Sequence, residues 1–203
     1  MSDTAPPLAA PALALWEFPS IADGVLAADA IAKSTPVQLL SGTTHPGKYV
    51  ILAAGDTASV DVALGTVSDV GRPVSDVRFL PDIDPAVVHA LGSAGTGPAA
   101  EAIGVVETDS VPSCVDAADA AVKAAAVDLT GLHLADDLGG KAYLVVEGSI
   151  GDVEAAVESA ADRAGAQLVN RVVIPLLTDD LRDDLAASDR FLDRLSGVER
   201  GAS

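Results

Sequence analysis

The strongest constraint on this sequence is an internal repeat that spans most of the chain. Residues 27–33 read Ala-Ala-Asp-Ala-Ile-Ala-Lys, and residues 117–123, which begin 90 positions later, read Ala-Ala-Asp-Ala-Ala-Val-Lys. Further matches follow at larger offsets: 93 at Gly47-Lys48 and Gly140-Lys141, and 94 at Leu80-Pro81 and Ile174-Pro175. Because the offset changes at only two places, the length changes are confined to two loops. The sequence therefore predicts a tandem duplication of one domain.

Length and composition limit what the two repeats can be. The 203 residues give each repeat about 80–90 residues, which is near the lower limit for a self-sufficient core, so we expect the repeats to pack on each other or on further subunits. The net charge of −18 argues against nucleic acid and against an anionic membrane as partners. One cysteine, no N-terminal signal segment and no apolar run of about 18 residues predict a soluble cytoplasmic protein.

Each repeat carries the same predicted order of elements, β-α-β-β-α-β, with both helices on one side of a small sheet. The predicted strands are Leu13–Phe18, Val37–Leu40, Tyr49–Ala54 and Val77–Leu80, then Ile103–Glu107, Val127–Leu134, Ala142–Val146 and Leu168–Ile174. The predicted helices follow the N-cap residues Ser20, Asp56, Ser110 and Ser149, and Gly165 fits a left-handed C-cap. In the first helix, the spacing of Ile21, Val25, Ala28 and Ile31 predicts a buried face.

The segments outside these elements set the predicted domain boundaries. We expect a flexible tail over 1–11, a first domain over 12–91, a linker over 92–101, a second domain over 102–177 and an acidic tail over 178–203. The acidic tail has the capacity for a surface helix. Two loops interrupt the strands, at Ser41–Lys48 in the first repeat and at Ala135–Lys141 in the second repeat.

Three stretches of the second repeat resemble the bacterial microcompartment shell domain: Ala102–Thr108, residues 117–123 and Val173–Pro175. The first repeat carries the same pattern less faithfully, so the resemblance covers about residues 12–177. It implies an α/β (α+β) protein of two tandem ferredoxin-like domains, and the unpermuted strand order is similar to that of the propanediol-utilisation type of tandem shell protein. The resemblance further implies a homotrimer that imitates a hexagon, tiles a shell together with other shell proteins, encloses enzymes and leaves a central pore.

The resemblance places the two loops at this pore. The implied pore-lining residues are Thr44, His45, Pro46, Gly47, Asp136, Asp137, Leu138, Gly139 and Gly140. Some relatives hold an iron–sulfur cluster on a Cys-Pro-Gly loop, but the same position here reads His45-Pro46-Gly47, so we expect no cluster and no other cofactor. Cys114 is no substitute, because it falls inside a helix at the position of Gly24, where a buried structural thiol is expected.

The role of His45 stays open among three interpretations. It narrows the pore, or three close imidazoles form a gate that opens by repulsion on protonation, or three neutral imidazoles and a water hold a zinc ion on the threefold axis. Asp136 and Asp137 would together form a ring of carboxylates that disfavours anions, unless both side chains point to bulk solvent.

Lys33 and Lys123 are implied to be tile-edge residues that meet neighbouring tiles. The alternative is a solvated lysine that interacts favourably with the C-terminal end of a helix in any fold. The arginine that the family usually carries after the last strand is missing, because Asp82 follows Pro81 and Leu176 follows Pro175.

Nothing in the sequence indicates catalysis. His45, His89 and His133 are not placed with a nucleophile or spaced as metal ligands, and Gly139-Gly140-Lys141 lacks the spacing of a phosphate-binding loop. We therefore expect a protein that is not an enzyme. The alternative function is a small-molecule-binding regulator built from duplicated ferredoxin-like domains, which would need a polar pocket between the repeats.

Overall fold

The computed structural model describes residues 11–44, 47–92, 100–135 and 138–178. The first repeat contains β1 (Ala12–Phe18), α1 (Ile21–Ser34), β2 (Gln38–Thr44), β3 (Lys48–Gly55), α2 (Thr57–Val70), β4 (Asp76–Leu80) and α3 (Pro85–Gly92). The second contains β5 (Ala102–Thr108), α4 (Val111–Ala124), β6 (Asp128–Leu134), β7 (Ala142–Gly148), α5 (Ile150–Ala164), a short 3-10 turn (Gly165–Gln167) and β8 (Leu168–Pro175). Most of the predicted N-terminal tail, linker and acidic tail lies outside the described residues.

The two sheets have the same topology. Their strand orders are β2-β3-β1-β4 and β6-β7-β5-β8, and every neighbouring pair is antiparallel. The predicted β-α-β-β-α-β order and the ferredoxin-like fold are confirmed. Strand register also defines which residues of the two repeats correspond. Glu17 lies opposite Asp76, and Glu107 lies opposite Asn170, so the offset is 90 in the central strands and 94 in the last strands. We call residues at the same register position counterparts.

The predicted N-caps are all present. The side chains of Ser20, Asp56, Ser110 and Ser149 each accept a hydrogen bond from the backbone N–H three residues ahead, at 2.9–3.3 Å. Each bond satisfies one of the backbone donors that a helix N-terminus leaves without a partner inside the helix. The side-chain and backbone hydrogen bonds from Ser59 lower the pKa of Asp56.

One core cluster spans both repeats, and a separate cluster lies within the first repeat. In the first repeat, Trp16 and Phe18 point to the sheet face that α1 and α2 cover, where they are buried with Ile31 and Val60. The opposite face of the same sheet packs on the second repeat. Its leucines belong to the cluster that also holds the core between α4, α5 and the second sheet: Leu13, Leu15, Leu52 and Leu80. The central strand β1 is therefore buried on both faces.

Two features of the first repeat differ from the sequence prediction. α3 was not predicted; it begins after Asp84, whose side chain accepts the Ala86 N–H at 2.8 Å, and it buries Val87 in the shared core. The loop predicted over Ser41–Lys48 was too long, because β2 continues to Thr44 with Ser41 opposite Ile51. α3 was missed because its eight residues are too few to show helical periodicity. The end of β2 was missed because its last residues are small and mostly polar.

Two further predictions are corrected by the structure. The buried stripe of α1 consists of Gly24, Ala27, Ala28 and Ile31, whereas Ile21 and Val25, which were expected on it, are exposed. Gly165 has a positive φ of 55°, but its ψ of −121° lies outside the left-handed helical region, because the chain turns into the short 3-10 segment. None of the helices in the described ranges has the length and apolar run that crossing a bilayer requires.

Candidate pore loops and the interface between the repeats

The first predicted pore loop joins β2 to β3. Thr44 is the last residue of β2, and its carbonyl accepts the Gly47 N–H at 2.7 Å. Gly47 has a φ of +98°, a conformation that residues with a β-carbon rarely adopt. His45 and Pro46 lie outside the described residues, so their predicted positions at the pore stay predictions.

The second predicted pore loop is a turn between β6 and β7. Leu138 accepts the Lys141 N–H at 3.2 Å, and the φ angles of Gly139 and Gly140 are 65° and 84°. Ala135, just after β6, also has a positive φ of 61°, and its N–H donates to the Lys141 carbonyl at 3.2 Å. Asp136 and Asp137 lie outside the described residues.

The structure brings the two turns together, because they meet across the interface between the repeats. A β-carbon added at Gly140 would lie 3.4 Å from Lys48 Cε and 3.5 Å from Lys48 Nζ. The Lys48 ammonium donates to Glu17 Oε1 at 2.7 Å and to the Asp109 carbonyl of the second repeat at 3.1 Å. Lys48 therefore links its own turn to the second repeat.

Glu17 anchors the start of α4 from the other repeat. Its second carboxylate oxygen, Oε2, accepts the Val111 N–H at 3.2 Å. That N–H is one of the donors that a helix leaves without an intrahelical partner, and a carboxylate is favourable at this positive end of the helix dipole. The sequence analysis matched Lys48 with Lys141 but missed that each lysine pairs with a glutamate of its own repeat, Glu17 or Glu107. The signal for this pairing was available, since both residues of the ion pair recur in both repeats.

A second polar cluster joins β4 to α4. Arg78 donates to Ser113 Oγ from Nη2 at 2.7 Å and pairs with Asp76 Oδ1 at 3.3 Å and Asp116 Oδ2 at 3.8 Å. Ser110 and Ser113 both donate to the Asp76 carboxylate. Burial raises the pKa of Asp116, and the charges of Arg163 and Arg78 oppose that shift.

The two predicted tile-edge lysines have different surroundings. Lys123 pairs with Asp119 at 2.8 Å and donates to the Asp82 carbonyl of the first repeat, so it also joins the repeats. Lys33 makes the equivalent pair with Asp29 at 2.6 Å, and both side chains are exposed. Both pairs join residues four apart on one helix.

The described residues contain no group of three or more His, Cys, Asp or Glu side chains that could hold a metal ion. Cys114 is buried in α4, as predicted, and burial raises the pKa of its thiol to about 12. Cys114 takes the position of Gly24, where a β-carbon would come within 2.4 Å of the Tyr49 ring. His133 stacks on Tyr143 with ring centroids 4.3 Å apart, and burial lowers the pKa of His133.

An open cleft of about 1000 Å³ lies at the outer side of the interface, between the end of β4 and helices α4 and α5. Its polar lining is mainly acidic, with Asp116, Asp119, Glu158 and Asp162 beside Lys123 and Arg163. A regulator would need a polar pocket between the repeats, and this cleft is a polar opening there that the sequence alone did not indicate. Comparison with known proteins separates this alternative from the shell protein.

The model of the BMC domain matches the chain twice, over residues 12–81 and 102–177. The chain belongs to the BMC domain family. The bacterial microcompartment shell protein PduT of Citrobacter freundii is 42% identical over 168 residues, which cover 81% of this chain and 91% of that protein. The carboxysome shell protein CcmK3 of Synechococcus elongatus is 40% identical over 78 residues, or 36% of this chain and 74% of that protein.

Solved structures agree with this assignment. A microcompartment protein from Desulfitobacterium hafniense DCB superposes with a TM-score of 0.74 at 34% identity, over 86% of this chain and 99% of that one. The fused permuted hexameric shell protein MSM0275 has a TM-score of 0.56 at 18% identity, over 75% of this chain and 83% of that one, and shows the same fold alone. The resemblance to tandem-domain microcompartment shell proteins is confirmed.

Proposed function

We propose that this protein is a structural shell protein of a bacterial microcompartment in the bacterial cytoplasm, and not an enzyme. It assembles as a homotrimer whose six domains imitate a hexagonal tile, beside other shell proteins and around enclosed enzymes. The similarity to PduT over most of both chains and the pair of BMC domains support the shell role.

One observation carries the trimer: the glutamate of the same ion pair is buried in one repeat and partly exposed in the other. Glu17 is 1% exposed because the second repeat covers it, whereas its counterpart Glu107 is 35% exposed. Glu107 nevertheless binds Lys141 at 2.8 Å, as Glu17 binds Lys48 at 2.7 Å. Such a site is ready to receive another helix N-terminus.

The missing helix is α1 of another chain. The counterpart of Val111, whose N–H binds Glu17, is Ile21, the first residue of α1. An interface between unlike faces continues from subunit to subunit until the ring closes. Three chains supply six repeats, and each Glu107 then accepts the Ile21 N–H of the next chain.

The pore of this ring is lined by the two turns. The contact between Lys48 and Gly140 supports this, because its counterpart between chains is Lys141 against Gly47, so the turns alternate around one axis. Asp136 and Asp137, which belong to the second turn, add a ring of carboxylates that favours cations and neutral polar molecules over anions. Lys33 and Lys123 take the tile edges.

No iron–sulfur cluster is part of this proposal, because His45 stands where cluster-carrying relatives have a cysteine and Cys114 is buried in α4. His45 narrows the pore. Of the two alternatives, a pH-sensitive gate and a zinc site, elemental analysis of the purified trimer tests the second: a stoichiometric zinc ion that His45→Ala removes would assign His45 as a metal ligand instead.

Light scattering on the purified protein tests the proposed assembly. We expect a mass of three chains at micromolar concentration, and a monomer or dimer would contradict the proposal. Electron microscopy of shells produced with a tagged chain tests the shell role, and exclusion of the tagged chain from those shells would contradict it.

A further inference from the structure

We propose that the ring alternates between two chemically different joints, a charged joint inside each chain and an apolar joint between chains. In the apolar joint, Val172 of one chain packs on Leu26 of the next. This inference rests on the proposed trimer and adds the residues that decide which repeat can stand beside which.

The charged joint is the contact between β4 and α4. Arg78 lies opposite Leu15 in the sheet and reaches Asp116 at 3.8 Å and Ser113 at 2.7 Å on α4. Asp76 completes the cluster by accepting a hydrogen bond from Ser113 Oγ at 2.5 Å. The carboxylates are largely buried, so this joint depends on charges that neutralise each other away from water.

The counterparts of the two central residues are both aliphatic. Val172 lies opposite Val105 as Arg78 lies opposite Leu15, so Val172 is the counterpart of Arg78. Leu26 is the sixth residue of α1 and Asp116 is the sixth residue of α4, so Leu26 is the counterpart of Asp116. An arginine–aspartate pair has therefore been exchanged as a unit for a valine–leucine pair.

Leu26, Val172 and the neighbouring Val25 are exposed in the single chain. Leu26 is 45% exposed and Val172 is 46% exposed. Along the same helix, Val25 is 50% exposed although its counterpart Val115 is 0% exposed under the first repeat. A helix face that one repeat covers inside the chain is thus left uncovered in the other repeat, where it presents Val25 and Leu26.

The sheet face that would cover it is also apolar. Ile103, Val145 and Leu177 form a small separate cluster on the outer face of the second sheet. Their counterparts Leu13, Leu52 and Ile83 belong to the shared core, where they pack with α4. The three residues of the outer cluster are already buried in the single chain, at 1%, 3% and 9% exposed, whereas Val172 on the same sheet is 46% exposed. The occupant of the Val172 edge of this face is α1 of a second copy of this chain, because the chain already contains the same docking once.

The difference between the joints prohibits wrong neighbours. If β4 met α1, Arg78 would face Leu26 and lose Asp116, and it would keep Asp76 of its own strand as its carboxylate partner. If β8 met α4, Val172 would take the place of Arg78 beside the buried Asp116 carboxylate, which would keep Arg163 at 3.8 Å. Removing one partner of a buried pair is strongly unfavourable, so first and second repeats must alternate around the ring.

Single substitutions test the apolar joint. Val172→Arg or Leu26→Asp places an unpaired charge in the joint between chains, and each should raise the dissociation constant of the trimer about 100-fold or more. The double variant carries a copy of the Arg78–Asp116 pair between chains, so it should recover at least about tenfold of that loss. Ile150→Arg is the matched control, because Ile150 is 39% exposed at the start of α5, does not line the cleft between the repeats, and has the counterpart Thr57, which bonds within its own repeat.

Cross-linking gives a second readout that introduces no charge into the joint. A bis-maleimide should link Leu26→Cys/Val172→Cys chains into dimers and trimers, whereas Arg78→Cys/Asp116→Cys chains should link only internally. Cys114 does not interfere, because it is buried.

The outcomes separate the two proposals. If the wild-type protein is not a trimer, both the proposed assembly and the apolar joint are wrong. If the wild-type protein is a trimer, but Val172→Arg and Leu26→Asp leave its dissociation constant unchanged and the Leu26→Cys/Val172→Cys chains stay unlinked, the trimer stands and the apolar joint is wrong.

Discussion

Replacing Gly104 by alanine tests how tightly α5 packs on the second sheet. Gly104 lies in the inner strand β5. A β-carbon built there would come within 2.4 Å of Val157 Cγ2, 2.9 Å of Val153 Cγ1 and 3.0 Å of Val146 Cγ2. All three valines are buried, and a helical valine has one strongly preferred rotamer. The added methyl group therefore forces α5 away from the sheet.

The expected magnitude follows from these contacts. Overpacking a core costs about 1–3 kcal/mol, and two contacts below 3.0 Å with stiff side chains place Gly104→Ala in the upper part of that range. For a chain of this size the loss lowers the melting temperature by about 5–10 °C. Gly65→Ala is the matched control: Gly65 is exposed inside α2 with no atom within 4 Å of the added β-carbon, so alanine should stabilise the protein by about 0.5–1 kcal/mol.

Thermal unfolding followed by circular dichroism measures both variants. Protein concentration must be the same in all samples, because assembly shifts the apparent melting temperature. Urea unfolding of the same samples supplies the free energies. The packing argument is wrong if Gly104→Ala melts at or above the wild-type temperature while Gly65→Ala is stabilised as expected.

Three further predictions concern buried groups. Burial raises the pKa of Cys114 to about 12, so a thiol reagent at pH 8 should modify it only in urea, and rapid modification of the native protein would contradict its burial. Burial also raises the pKa of Asp116 above 3.8; its contribution to stability is therefore greatest below that pH and is lost as the pH rises through the folded-state pKa. As the pH rises from 4 to 7, the difference in the free energy of unfolding between Asp116→Asn and wild type should therefore shift in favour of the variant. A difference that stays constant over this pH range in urea unfolding would count against this. Gly24→Cys should destabilise the protein by about 1–3 kcal/mol, because the new side chain meets the Tyr49 ring. Adding Tyr49→Ala should make the cysteine tolerable, because the second repeat combines Cys114 with Ala142 at the same two positions. A double-mutant cycle that shows no coupling between the two substitutions would refute this.

The fold was largely predictable because the same sequence pattern occurs in both repeats. Ser20 and Ser110 stand at the same position of the two repeats, and a cap that recurs is unlikely to be an accident of composition. Strand register confirmed the offsets of 90 and 94 that the sequence had indicated. α3 was missed because nothing in the matched second repeat marked a helix at that place.

The sequence predicted the positions of the pore loops but not the contacts that form the joints. The two turns were located by comparing repeats and by resemblance, and the structure brings Gly140 against Lys48. The exposure of Val25 could not be predicted, because its spacing is that of a buried face. The contact between Arg78 and Asp116 could not be predicted either, because the two residues are distant in the sequence and meet only through folding.

By itself, the sequence determined the duplication, the order of strands and helices, the helix caps and the position of the buried thiol. Each of these depends on residues a few positions apart, or on comparing one repeat with the other. The tertiary structure decided which faces are covered. α1 and α4 carry related sequences, yet Val115 is buried and Val25 is exposed, because burial depends on what lies across from a helix. Of these two helices, α4 is the one that packs on the other repeat in the described part of the chain.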